Sequence, residues 1–391
     1  MLSAVLVALA LARTGANAHF VEQQPLMDVV NIDVSKEEWT SKYGPQVDMG
    51  YTGPLSFSHL PYTRCLDDGT ALFDIGIIGF PFDTTTSYRP GARFGPFAIR
   101  AGSRRQGTGR GTLSWGGMSP EEAGASLLDC GDVPLSALNN LKAIDQMEAA
   151  YSTLLQRPVY GGTSDAYKSR TAALALDGKE HPRLVTLGGD HTIVLPILRS
   201  LYKVYGPVSV IHFDAHLDTW PNTGDPSHGS FFAIAAEEGL MTNTSIHGGI
   251  RCHMSKADLQ HDGDVGFQLI TTEDIDDYGI VNVIKKIRER VADSAVYLSL
   301  DIDVVDPGFA PATGTVEPGG WTPREVKRIL RGLSGLNFVG ADIVEVAPAY
   351  DSADITGIAA ADIVFDLLTM MQLDSPPAPH VGPFSNKDLL H

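Results

Sequence analysis

Eight short apolar runs, rich in β-branched residues, recur along the middle of the chain, and the apolar positions between most of them fall at helical spacing. The runs are Phe73–Phe80, Ser126–Cys130, Leu184–Leu187, Val208–Phe213, Ile246–Ile250, Phe267–Ile270, Ala295–Leu300 and Phe338–Val344, and each predicts a strand. Helices are predicted from Pro96 through Arg100, over Ala137–Leu155, from Thr192 to about Tyr205, and from His228-Gly229 through Leu240. Three more follow: Glu273–Val291, a helix opened by the capping box Thr322-Pro323-Arg324-Glu325 and running through Leu333, and a last one capped by Asp354 and reaching about Leu373. Strands that alternate with helices predict a mostly parallel sheet with helices on both faces. In such sheets the ligand site lies beyond the carboxyl ends of the strands.

The flanks differ from this middle. Leu2–Leu11 is an apolar run too short to span a bilayer, and Ala16-Asn17-Ala18 fits a small-x-small cleavage site, so residues 1–18 are expected to be a signal peptide. A mitochondrial or cytosolic chain is the alternative. Asn243-Thr244-Ser245 is a glycosylation sequon, consistent with the secretory pathway or an extracellular destination. Residues 19–70 read as an N-terminal arm with little regular structure, 71–373 as the catalytic domain, and 374–391 as a Pro-rich tail. Pro158–His181 reads as a surface insertion.

Composition narrows the class. The 391 residues are 43% hydrophobic and 19% charged, the balance of a globular protein, and no other stretch is long and apolar enough to cross a membrane. A formal charge of −18 argues against nucleic acid and anionic membrane surfaces and favours a cationic small molecule. Cys65, Cys130 and Cys252 show no C-x-x-C spacing and are expected to be three small buried side chains, with one bridge at most.

Candidate chemistry gathers at the predicted strand ends. Asp214-Ala215-His216-Leu217-Asp218 follows the Val208–Phe213 strand, and an extended segment there would send Asp214, His216 and Asp218 to one side. His191 follows Leu184–Leu187, Asp301 and Asp303 follow Ala295–Leu300, and Glu345 follows Phe338–Val344. Four carboxylates and two imidazoles without a thiolate suit a pair of divalent ions, Mn²⁺ before Zn²⁺. Two such ions, roughly 3.5 to 4 Å apart, would hold a hydroxide between them. Arg89, Arg93 and Arg100 are expected to anchor loops.

The motifs Gly188-Gly189-Asp190-His191, Asp214-Ala215-His216-Leu217-Asp218 and Ser299-Leu300-Asp301-Ile302-Asp303-Val304-Val305-Asp306-Pro307 resemble the three signatures of the ureohydrolases, the arginase/agmatinase superfamily. Ser87–Pro96 and Val344–Asp351 look closest to its agmatinase branch. The resemblance implies a three-layer α/β/α fold, two Mn²⁺ per subunit, hydrolysis of a guanidino compound to urea and an amine, and a trimer or hexamer. It implies that His191, Asp214, His216, Asp218, Asp301 and Asp303 bind metal, with Asp214 and Asp301 bridging. His191 and Asp218 would serve one ion, His216 and Asp303 the other. It further implies that His228 shuttles protons and Glu345 holds the guanidinium. Thr219–Ser227 departs from the Ser-Gly-Asn-rich loop by which arginases hold the amino-acid head group, so agmatine is the expected substrate and putrescine its product. Asp225, three residues before His228, is a candidate for the distal ammonium. A guanidino acid such as 4-guanidinobutyrate is the alternative substrate. A zinc deacetylase-type enzyme or a non-catalytic secreted relative is disfavoured by the doubled Asp301/Asp303 and the intact ligand set.

Overall fold

Within each strand, successive apolar side chains go to opposite faces, and each face finds its own helices. Ile75, Ile77, Val185, Leu187, Ile211, Phe213, Leu298 and Leu300 belong to one apolar cluster, whereas Ile78, Leu184, Val210, Tyr297 and Val339 belong to another. The computed structural model describes residues 48–107, 109–161, 171–221 and 224–378, with Tyr43, Pro45 and Gln46. The expected signal peptide, most of the N-terminal arm, part of the Pro158–His181 insertion and the tail from 379 lie outside the described residues. Asp48 onward forms one compact unit.

Eight strands make one sheet: β1 (Ile75–Gly79), β2 (Leu127–Asp132), β3 (Arg183–Leu187), β4 (Ser209–Phe213), β5 (Ser245–Ile250), β6 (Phe267–Thr271), β7 (Ala295–Asp301) and β8 (Asn337–Val344). Their order is β2-β1-β3-β8-β7-β4-β5-β6, and all the pairings are parallel. Leu187 pairs with Ile343, Ile343 with Leu300, and Leu300 with Phe213, so the four central strands end in one row. Every metal-ligand candidate, and Glu345, follows that row within five residues.

One face carries α1 (Gly95–Gly102), α7 (Ile280–Val291), α8 (Pro323–Leu333) and α9 (Ile355–Met370). The other carries α2 (Asn140–Leu155), α3 (Val194–Tyr205) and α4 (Phe231–Glu237). Three layers result. The capping box at Thr322 forms, Thr322 Oγ1 accepting from Glu325 N–H and Glu325 Oε2 accepting from Thr322 N–H at 2.8 Å. Val326, Ile329, Leu330 and Leu333 of α8 are wholly buried, each burial stabilising by about 1.5–3 kcal/mol.

Several expectations need correction. The helix expected over Glu273–Val291 is two, α6 (Asp274–Tyr278) and α7, because Gly279 turns the chain at φ 79°. The helix expected from His228 begins at Phe231. Asp354 sits at φ 58° and its side chain makes no cap; instead Asp351 accepts from Thr356 N–H and Gly357 N–H. An unexpected helix, α5 (Lys256–Val265), opens on a Ser255/Asp258 capping box. Cys65 and Cys130 are joined in a disulfide rather than standing as separate thiols. The two cysteines come together because the arm runs along edge strand β2, where Asp129 N–H donates to Pro61 O and Thr63 N–H to Asp129 O.

Candidate active site

Two glycines let the β3 loop reach its place. A Cβ on Gly188 would lie 2.5 Å from Val344 Cγ1, and one on Gly189 would lie 1.7 Å from Phe82 O. The chain therefore passes flush against the ends of β8 and β1 before delivering Asp190 and His191. Asp190 Oδ1 accepts from Thr192 N–H, while its Oδ2 accepts from Thr85 N–H and Thr85 Oγ1–H, tying the 83–95 loop to β3.

Asp214 and Asp301 each fold a tight turn on themselves. Asp214 Oδ1 accepts from His216 N–H at 2.6 Å, and Asp301 Oδ1 accepts from Asp303 N–H at 2.8 Å. The side chains therefore converge through these turns and not through continued extended backbone, which corrects the expectation from alternation. Asp218 and Glu345 hold left-handed backbone, φ 55° and 62°, a cost tolerated where surrounding structure fixes a residue for function.

The six expected ligands come together in two groups that share Asp214. His191 Nδ1 lies 3.1 Å from Asp214 Oδ2, 3.1 Å from Asp218 Oδ2 and 3.4 Å from Asp301 Oδ2. His216 Nδ1 lies 3.1 Å from both Asp214 Oδ1 and Asp303 Oδ2. The far nitrogen of His191 is also held: Nε2 meets Ser299 Oγ at 2.8 Å, and Ser299 donates to Asp342; His216 Nε2 makes no hydrogen bond among the described residues and lies 3.6 Å from Glu317 Oε1.

Burial lowers the His191 imidazole, but the carboxylates of Asp214, Asp218 and Asp301 raise it well above its ordinary value. Burial, then the facing Asp303 and Asp214 carboxylates, hold Asp301 well above the usual carboxylate range. So many buried acids repel one another unless cations sit among them. His191 Nδ1 and Asp214 Oδ2 are wholly buried without a hydrogen bond of proper geometry, and ligand atoms of His191, His212, Asp214 and Asp218 lie within 4.8 Å of one another, as do those of Asp214, His216 and Asp303. Imidazole nitrogens and carboxylate oxygens so placed fit divalent cations.

Above this floor lies a small cleft walled by Ser87, Trp220, His228, Thr315 and Glu345. Glu345 Oε1 accepts from His191 N–H at 3.0 Å and lies 3.2 Å from His228 Nδ1; His228 Nε2 lies 2.7 Å from Ser87 Oγ. Burial pulls the His228 imidazole down, and the Glu345 carboxylate outweighs it, so His228 is raised to about 9. Asp225 is exposed and is not among the residues lining the cavity. Arg93 is bound to Asp83, and Arg100 to Asp129 and Asp132, as loop anchors. Arg89 donates to Gly314 O and stacks between the Tyr88 and Tyr350 rings.

The sequence reading missed His212, whose Nε2 is 3.0 Å from Asp214 Oδ2. Its signal was position: two residues before Asp214 on a strand, it shares that residue's face.

A wholly parallel sheet whose central strands end in a doubled His/Asp metal site defines a metal-dependent amidinohydrolase. The profile of the Arginase family matches residues 73–370, and the chain belongs to that family. It is 51% identical over 338 residues to a Schizosaccharomyces pombe protein named "Putative agmatinase 1", covering 83% of this chain and 84% of that one. Among solved structures, a hypothetical agmatinase from Burkholderia thailandensis superposes with TM-score 0.71 at 35% identity, covering 84% of this chain and 93% of that one. Proclavaminate amidino hydrolase from Streptomyces clavuligerus gives TM-score 0.69 at 34% identity, covering 83% and 98%. The enzyme is thus an agmatinase-like ureohydrolase.

Proposed function

We propose that the chain hydrolyses agmatine to putrescine and urea, using two Mn²⁺ held by His191, Asp214, His216, Asp218, Asp301 and Asp303. The observation that carries the reading is the pair of groups sharing Asp214 beneath a cavity that no Lys or Arg lines among the described residues. A cavity walled by acids suits a dication and not a guanidino acid, which would want a positive partner for its carboxylate. The ions, when bound, lower the pKa of water to near neutrality and polarise the substrate.

The chain's own residues supply the rest. Glu345 offers its carboxylate to the guanidinium, and its backbone strain and its bond from His191 N–H fix where that carboxylate points. His228, protonated beside Glu345, donates a proton to the departing amine, for which positioned acid catalysis is worth about 10²–10⁴-fold. Ser87 meets the other nitrogen of that ring, Nε2, through its backbone N–H and its hydroxyl. The exposed placement of Asp225 favours a role in its Gly-Asp-Pro turn over one at the ammonium.

Urea release across agmatine, 4-guanidinobutyrate, 3-guanidinopropionate and arginine tests the reading, with agmatine expected to show the highest kcat/KM. A guanidino acid turned over faster would replace it. A trimer or hexamer, checked by light scattering, is part of the same proposal. So is entry into the secretory pathway, supported by the Cys65–Cys130 disulfide, a bond kept in oxidising compartments. N-terminal sequencing of the mature chain tests cleavage after Ala18.

A further inference from the structure

Helix α5 buries one side chain, and that side chain is a carboxylate, Asp262, 2% exposed. A helix whose single buried contact is an acid needs a polar reason for its place. Asp262 Oδ1 accepts from Thr219 Oγ1–H at 2.8 Å and from His247 Nε2–H at 2.9 Å. His247 stands opposite His212 in the β4–β5 register, and their Nδ1 atoms are 2.7 Å apart. His212 Nε2 then reaches Asp214 Oδ2 at 3.0 Å. Both rings are wholly buried; His247 stacks on Phe267 with centroids 3.9 Å apart, and His212 packs edge-on against Phe232.

We propose that Asp262 is a positioning residue for the shared ligand Asp214, acting through His247 and His212. The proposal rests on the metal-dependent reading above. Asp262 keeps the hydrogen of His247 on Nε2, so His247 Nδ1 accepts from His212 Nδ1–H. That leaves His212 Nε2 as a lone pair facing Asp214 Oδ2, an opposition that a cation at Asp214 relieves. The two hydrogen bonds from Asp262 to His212 therefore favour the loaded site. Without them the His212 ring is free to turn an N–H onto Asp214 Oδ2 and compete with the ion.

The test is direct Mn²⁺ titration of chelator-stripped protein, followed by calorimetry and by the paramagnetic resonance of bound Mn²⁺, alongside the metal-free melting temperature. Asp262→Leu and His247→Phe are expected to raise the Mn²⁺ Kd about 10–100-fold, the usual cost of losing an outer partner of a ligand. Their kcat at saturating Mn²⁺ should stay within a few-fold of wild type. Asp262→Asn, which keeps an acceptor oxygen, should retain the wild-type Kd, as a purely packing role would not require. His247→Gln serves if either apolar variant fails to fold, and is expected to weaken binding less than His247→Phe. Variants that fold and bind Mn²⁺ with the wild-type Kd overturn the positioning role alone, whereas a wild-type chain that retains no Mn²⁺ overturns the metal reading with it.

Discussion

Glu345 and His228, 117 residues apart in sequence, meet at 3.2 Å, carboxylate Oε1 to imidazole Nδ1, at the wall of the cavity. In the proposed mechanism the pair links the carboxylate that holds the substrate to the proton donor. Because His228 is raised to about 9, its protonated form persists through neutral pH and is lost as pH rises past that value. The rate should therefore show a falling limb centred near pH 9. His228→Asn should lower kcat by about 10²-fold or more and abolish that limb, while elemental analysis finds the metal content unchanged.

Asp214 serves both groups, so its loss should cost both ions. Asp214→Asn should leave less than one ion per chain after dialysis, whereas Asp303→Asn, which touches the His216 group, should retain one. Free Mn²⁺ at 100 times its Kd should stabilise the wild type by about 2.7 kcal/mol per site, and Asp214→Asn should lose that gain in a melting experiment.

Gly189 has no room for a methyl group, since Phe82 O would lie 1.7 Å from it. Gly189→Ala should destabilise the fold by about 1–3 kcal/mol and, by shifting the β3 loop, weaken Mn²⁺ binding as well. Denaturant unfolding and metal titration check the two effects separately.

Far from the site, Asp366 on α9 accepts from Trp115 Nε1–H, while its other oxygen has no hydrogen bond. Burial raises it to about 6, against the pull of Lys327 and Trp115, from an ordinary 3.8. The folded chain thus binds a proton that the unfolded chain releases, and this contribution to stability is present below pH 3.8 and lost as pH rises through 6. Asp366→Asn keeps the Trp115 acceptor, so it should flatten the pH dependence of the melting temperature and stabilise by roughly 2–3 kcal/mol at pH 7.5.

The strands were legible because a parallel sheet buried on both faces writes continuous apolar runs, and all eight appear where those runs lie. Three strand-end motifs located the metal floor for the same reason. Less was legible where a single residue decides: Gly279 splits one periodic helix, and α5 has almost no apolar face to announce it beyond Ser255 and Asp258. His212 and His247 were hidden inside strand runs, where an imidazole reads as one more core position. Cys65 and Cys130, 65 residues apart, carry no spacing signal, and only the path of the arm brings them together.

That path has a consequence for handling the protein. Residues 61–63 occupy the outer hydrogen-bonding rim of β2, which would otherwise present a template for pairing with another chain. The sulfur crosslink two residues later works as a latch on that cover. In strong reductant the chain should begin to clump before its catalytic centre is touched, so loss of solubility would precede loss of turnover per folded molecule.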